Sequence, residues 1–136
     1  MFPSVSKNDT WHSKTNTENA GDRARSLLRD VQTGKLEANS SALTFDELVW
    51  AVKRSRTSED TIASGKAFLN MPRLRLVDVD GNILARALVL MRKYRLDPRD
   101  SIHAASALTE GAELIISTDK HFDKIREIRR RGISGK

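Results

Sequence analysis

The order of two patterns in the C-terminal half most constrains how this chain can fold. Asp97-Pro98 opens a helical pattern that runs to about Leu108, since aspartate suits a helix N-cap and proline suits the first helical position. Gly111 ends this pattern, and the short apolar run 113–117 follows directly. So short a strand between turn signals indicates burial on both faces, as in a parallel sheet that helices cover.

The same alternation of helix and strand extends towards the N-terminus. Helical patterns occupy residues 44–56, 58–69 and 82–94, and an earlier one runs from residue 20 to a glycine cap at Gly34. Short strand patterns occupy 36–43 and 74–79. These patterns predict an α/β domain with a parallel sheet. Residues 1–18 show no apolar strand, although a sheet of this class normally begins with one.

Composition excludes several classes of protein and locates the charge. A chain of 136 residues without cysteine forms one domain and lacks disulfide scaffolds, cysteine-ligated zinc and thiol catalysis. It contains no signal peptide and no apolar run of membrane length, which predicts a cytoplasmic protein without a membrane partner. The net charge is +6, and residues 120–136 hold seven Lys or Arg against two acidic residues.

We therefore divide the chain into three parts. Residues 1–18 form a divergent or disordered N-terminal segment, residues 19–125 form the domain, and residues 126–136 form a basic tail.

Three acidic residues stand where an α/β fold gathers its ligands, near strand ends and the helices that follow. Glu47 and Asp100 lie in the first turns of predicted helices, and Asp119 follows the apolar run 113–117. Each also has a structural explanation. Glu47 completes a capping box with Thr44, Asp100 complements a helix dipole, and Asp119 begins a turn. Their spacing alone does not choose between the two.

The amino-acid sequence around these residues resembles that of a known family. Residues 96–108, LDPRDSIHAASAL, and 115–123, IISTDKHFD, closely resemble the C-terminal half of the PIN domain. This family includes the VapC toxins of bacterial and archaeal toxin–antitoxin pairs. Residues 43–52 look like its central helix, and 21–24 are similar to its first helix. The resemblance covers about residues 20–125 and implies a three-layer α/β/α fold with a central parallel sheet.

The resemblance implies a metal-dependent ribonuclease in which Glu47, Asp100 and Asp119 are catalytic and bind Mg²⁺ or Mn²⁺. Asp123 and Asp9 are weaker candidates for a further acidic ligand. The chemistry agrees, because crowded carboxylates repel each other unless a cation neutralises them, and hard oxygen ligands suit these ions.

The expected partners follow from the same family. They are an RNA substrate, a cognate antitoxin and a second copy of the chain in a homodimer. Candidates for contact with the RNA phosphates are basic residues near the proposed site: Arg99, Lys120, Arg129 and Arg130. His103 shares a helix face with Asp100, and a structural histidine is favoured over a ligand.

The resemblance to the PIN domain does not extend to the N-terminus. The family opens with an apolar strand ending in Asp-Thr-Asn, whose first Asp is a principal metal ligand. Asp9-Thr10 offers the pair, but residues 4–8 before it are too polar for a central strand. We favour an alignment in which Met1-Phe2 follows the missing motif, so that the chain lacks its first strand. The alternative function is then a catalytically impaired PIN-like module that binds RNA or an antitoxin without cleaving.

Overall fold

The computed structural model describes residues 4–5 and 20–132, with side chains from residue 26 onward. The elements are β1 (Ser4–Val5), α1 (Ala20–Gln32), β2 (Ala38–Ser41), α2 (Leu43–Lys53), α3 (Ser58–Leu69), β3 (Leu74–Val77), α4 (Gly81–Tyr94), α5 (Pro98–Thr109), β4 (Leu114–Ile116), a 3₁₀ helix (Lys120–Lys124) and β5 (Arg129–Arg131). No helix in this described part is long and apolar enough to cross a membrane.

The five strands form one sheet in the order β3-β2-β1-β4-β5. β2 pairs with β3 and β4 pairs with β5 in parallel, whereas β1 is antiparallel to both β2 and β4. The four longer strands therefore all point the same way, and their carboxyl ends meet at one edge of the sheet. This edge is where open α/β sheets bind ligands. The predicted α/β class is confirmed.

The centre of the sheet differs from the sequence prediction. Residues 4–8 looked too polar for a central strand, yet Ser4–Val5 occupies that place, with Ser4 opposite Asn39 of β2 and Ile115 of β4. A strand ladder is made by backbone N–H and C=O groups, so a two-residue segment can pair on both sides whatever its polarity. The strand is present, but it is short and runs against its neighbours.

Helices cover both faces of the sheet. On one face, Leu27 and Val31 of α1 pack against Ile116 of β4. On the other face, α4 and α5 pack with Ile115 of β4 and with the fully buried Phe122 of the 3₁₀ helix. Neighbouring residues of a strand point to opposite faces, so β4 contributes to both cores. The predicted three-layer arrangement is confirmed.

Helix starts lie within one residue of those that the sequence patterns predict, and some of the caps differ. α5 begins at Pro98, as predicted. α3 begins at Ser58, but its cap is the preceding Thr57, whose hydroxyl accepts the N–H of Asp60 at 3.1 Å. α2 begins at Leu43, before the predicted start at Thr44, because the Ser41 hydroxyl accepts the Leu43 N–H at 3.1 Å.

The ordered fold continues beyond residue 125, where we had placed the end of the domain. Ile125 and Ile128 are buried, and Arg129–Arg131 pairs with β4 as the edge strand β5. Residues 129–131 of the predicted basic tail are therefore part of the sheet.

Candidate metal centre

Two chain segments bring acidic side chains together at the carboxyl edge of the sheet. The start of α5 carries Asp97 and Asp100, and the segment after β4 carries Asp119 and His121. Both segments lie at the edge of the sheet where open α/β folds bind their ligands. We call these four residues the acidic cluster.

The distances within the acidic cluster are short. One ligand atom each of Asp97, Asp100 and His121 lie within 4.8 Å of one another. His121 Nδ1 is 3.0 Å from Asp119 Oδ1 and 3.8 Å from Asp100 Oδ2. The structure thus brings together Asp100 and Asp119, two of the residues that the sequence singled out, at a single imidazole nitrogen.

Asp97 joins the acidic cluster because it does not cap its helix. It occupies the N-cap position with extended backbone, but its side chain makes no capping hydrogen bond. Pro98 follows at the first helical position, and Ser101 Oγ donates to the Asp97 carbonyl at 2.9 Å, which leaves the Asp97 carboxylate available to the cluster. The sequence pattern predicts only a helix cap at Asp97, so its place in the cluster was not predicted. The spacing of three residues between Asp97 and Asp100, which places both on one helix face, was the available signal.

Asp119 serves the local turn as well as the cluster. Its carboxylate accepts the backbone N–H of His121 at 2.9 Å, and its own N–H donates to Ser117 Oγ at 3.0 Å. The structural explanation offered from sequence, a turn beginning at Asp119, therefore holds together with the placement of its carboxylate in the cluster.

The carboxyl group of Asp100 has a raised pKa. Burial of its carboxyl, followed by repulsion from Asp119, raises the pKa of Asp100, and Asp97 adds to the effect while His121 opposes it. Its side chain is 15% exposed, against 59% for His121. The raised pKa means that the ionised form is costly in this place, and a bound cation would relieve that cost.

Glu47 lies on α2 and contacts α5 through a histidine. Its Oε1 is 2.5 Å from Nε2 of His103, whose side chain is 4% exposed. Burial lowers the pKa of His103 and so favours its neutral form. In the tautomer with its proton on Nε2, this ring donates to the Glu47 carboxylate. The capping box expected for Glu47 is absent, because Thr44 instead accepts a hydrogen bond from Ser40 at 2.9 Å.

The remaining predicted residues fall into two groups. Arg130 donates to Asp123 Oδ1 at 2.8 Å and to the Ser117 carbonyl at 3.0 Å, and the bond to Arg130 lowers the pKa of Asp123. This pair holds β5 against the turn after β4. The other three predicted RNA contacts are exposed: Arg99, Lys120 and Arg129. Asp9 lies outside the described residues.

The fold and the acidic edge define an α/β domain with a candidate metal centre, and sequence comparison assigns its family. A model of the PIN domain matches residues 11–128. The chain belongs to the PIN domain family, as the motifs around Asp100 and Asp119 indicated. No curated protein matches the chain.

Solved structures share this fold. A chain of DNA-bound VapBC from Salmonella typhimurium is 21% identical, with 82% of this chain and 85% of that chain covered at a TM-score of 0.64. VapBC2 from Rickettsia felis, bound to a promoter DNA fragment, gives 19% identity, coverage of 69% and 73%, and a TM-score of 0.56. A chain of a toxin–antitoxin complex from Klebsiella pneumoniae is 21% identical, with 65% of this chain and 68% of that chain covered at a TM-score of 0.51.

Proposed function

We propose that this protein is a metal-dependent PIN ribonuclease, the toxin of a toxin–antitoxin pair, and that it hydrolyses RNA phosphodiester bonds. The observation that carries the proposal is the acidic cluster, in which Asp97, Asp100 and His121 offer ligand atoms within 4.8 Å of one another. Membership of the PIN family supports it. So do the similar structures, which are toxin–antitoxin complexes.

The donor set fits a divalent cation. Carboxylate oxygens suit Mg²⁺ and Mn²⁺, and the imidazole nitrogen of His121 favours Mn²⁺ of the two. Burial and then Asp119 raise the pKa of Asp100, so its ionised form is unfavourable there and would be favoured by a bound cation. A divalent cation held by Asp97, Asp100 and His121 would supply Lewis-acid chemistry, acidifying water and offsetting negative charge on a phosphate.

The residues of the chain supply positioning and proton transfer. The half-exposed Asp119 carboxylate is placed to orient an attacking water and take its proton. Exposed cations at the same rim, Arg99 and Lys120, would hold the RNA phosphates. In-line attack by water leaves a 5′-phosphate and a 3′-hydroxyl.

The remaining parts of the proposal concern assembly. The partners we propose are RNA as substrate, a cognate antitoxin and a second copy of this chain, all met in the cytoplasm.

A second candidate function comes from the central strand. The family resemblance implies an acidic ligand at the end of that strand, whereas β1 here consists of Ser4 and Val5. A protein lacking that ligand would bind RNA or an antitoxin without cleaving.

Calorimetric titration with Mn²⁺ and an RNA cleavage assay separate the two functions. We expect the wild type to bind Mn²⁺ and to cut RNA. Asp100→Asn and Asp119→Asn should lower cleavage by more than about 100-fold, because even outer-shell changes cost roughly 10–100-fold at metal sites. Asp60→Asn, which alters an exposed carboxylate of α3, is the control and should change neither property. Binding without cleavage would favour the impaired module, and absence of Mn²⁺ binding would refute the metal centre.

A further inference from the structure

We propose that His103, one helical turn from Asp100 of the acidic cluster, is a positioning residue that fixes the orientation of the Glu47 carboxylate and thereby sets the affinity for the divalent cation. This inference rests on the proposed function. It extends that function to a histidine that sequence analysis favoured as structural.

The contact itself is short and protected from water. His103 Nε2 lies 2.5 Å from Glu47 Oε1, and the two side chains are 4% and 28% exposed. A ring so deeply buried has little freedom to turn, so its donor is fixed in direction. A carboxylate has two oxygens, and binding Oε1 to the ring leaves Oε2 for a cation or a water.

The helix that carries His103 also carries Asp100 of the acidic cluster. His103 follows Asp100 by one helical turn, so the two side chains project from the same face of α5. One rigid helix therefore presents Asp100 to the cluster and His103 to Glu47. Glu47 is thereby linked to the helix that carries Asp100.

The packing of α2 makes this hydrogen bond important. α2 packs mainly on α3, where Phe45 and Phe68 have ring centroids 6.4 Å apart, and it contacts α5 much less. The hydrogen bond from His103 to Glu47 is thus one of the few contacts that join α2 directly to α5. Without it, Glu47 would adopt several rotamers, and the cation would lose a preorganised neighbour.

A purely structural role for His103 and a positioning role lead to different expected results. If His103 only fills space and satisfies its own donor, its replacement lowers stability and leaves the metal affinity of the folded protein unchanged. If it positions Glu47, metal affinity falls together with turnover, and a side chain with a donor at a similar reach restores both.

The test compares His103→Leu, His103→Gln and His103→Asn with the wild type. Each variant is measured for Mn²⁺ affinity by calorimetry, for kcat and KM with an RNA substrate, and for its thermal midpoint. Leu removes the donor, Gln carries an amide N–H at about the reach of Nε2, and Asn carries one that falls short of Glu47. We expect Leu and Asn to weaken Mn²⁺ binding and kcat by roughly 10-fold or more with little change in KM, and Gln to restore most of both.

Ser106→Ala is the matched control. Ser106 is also a buried polar residue of α5, 1% exposed, but its hydroxyl donates to the Ile102 carbonyl at 2.8 Å and does not contact Glu47. It should lower the thermal midpoint without changing Mn²⁺ affinity.

The double variant Glu47→Gln with His103→Leu tests the coupling. We expect it to bind Mn²⁺ no more weakly than Glu47→Gln alone, because His103 acts through Glu47. If His103→Leu does not fold, the contrast between Gln and Asn decides. Additive losses in the double variant, or Leu and Asn variants with wild-type affinity and kcat, would overturn the inference alone. A wild type that neither binds Mn²⁺ nor cuts RNA would overturn the proposed function, and the inference with it.

Discussion

At the scale of single residues, His121 joins carboxylates from distant parts of the chain. Its Nδ1 lies 3.0 Å from Asp119 and 3.8 Å from Asp100, so one imidazole faces two negative groups. The ring offsets only part of their repulsion, because the pKa of Asp100 remains raised by burial and by Asp119. A site built to hold a cation is expected to be electrostatically unfavourable until the cation binds.

This cost leads to a prediction for Asp100→Asn. A carboxyl whose pKa is raised in the folded state destabilises the fold once pH exceeds its ordinary value of 3.8, because the folded protein then holds a proton that the unfolded chain has released. Without divalent cation at pH 7, we expect Asp100→Asn to melt about 2 °C or more above the wild type. Differential scanning calorimetry from pH 3 to pH 7 measures the difference, which should shrink towards acid pH.

Added Mn²⁺ provides the contrast for this prediction. It should raise the midpoint of the wild type, since a ligand that binds the folded state stabilises it, and should leave Asp100→Asn nearly unchanged. A lower midpoint for Asp100→Asn at pH 7 without metal would contradict the electrostatic account.

At the scale of elements, the edge strand β5 places two of its arginines, Arg129 and Arg130, in different environments. Sequence analysis treated Arg129 and Arg130 alike, as RNA contacts in a tail. A strand points successive side chains in opposite directions. The side chain of Arg130 is 9% exposed and binds Asp123 and the Ser117 carbonyl, whereas Arg129 is exposed.

The two arginines should therefore respond differently to substitution. Arg130→Ala should destabilise the protein by about 1–3 kcal/mol, the cost of leaving a buried polar group without its partner. Arg129→Ala, its neighbour in the same strand, should leave stability within about 0.5 kcal/mol of the wild type. Urea unfolding of both variants gives the comparison, and equal losses would mean that the Arg130 contacts contribute little.

At the scale of the whole molecule, the net charge of +6 is not spread evenly. The acidic cluster brings carboxylates to one edge of the sheet, and the exposed cations Arg99 and Lys120 adjoin Asp100 and Asp119 in the chain. Under the proposed function, these cations would attract RNA to the metal centre.

Salt dependence measures how many of these cations contact RNA. With Asp100→Asn used to prevent cleavage, a plot of log K against log salt concentration should have a negative slope. Adding Lys120→Gln should make that slope shallower by about one, whereas Lys66→Gln on α3 should leave it unchanged. A slope near zero for the parent would contradict phosphate contacts by this rim.

Much of the fold could be predicted because its signals are local. Asp97-Pro98 marks the start of α5, and Gly34 ends the first helix with a φ of +83°, a conformation that glycine adopts without strain. The candidate site was predictable in part. Asp100 and Asp119 were found through their motifs, whereas Asp97 was assigned to a cap and His121 was given no place in the cluster.

The sequence by itself determined the α/β class, most helix starts and the PIN motifs, because capping, turns and hydrophobic periodicity depend on neighbours a few residues away. The tertiary structure alone decided which side chains meet. Glu47 and His103 are 56 residues apart in the chain, and Arg130 reaches the turn after β4 only because β5 joins the sheet. Such contacts depend on how separate elements pack, and local patterns along the chain do not specify those distances.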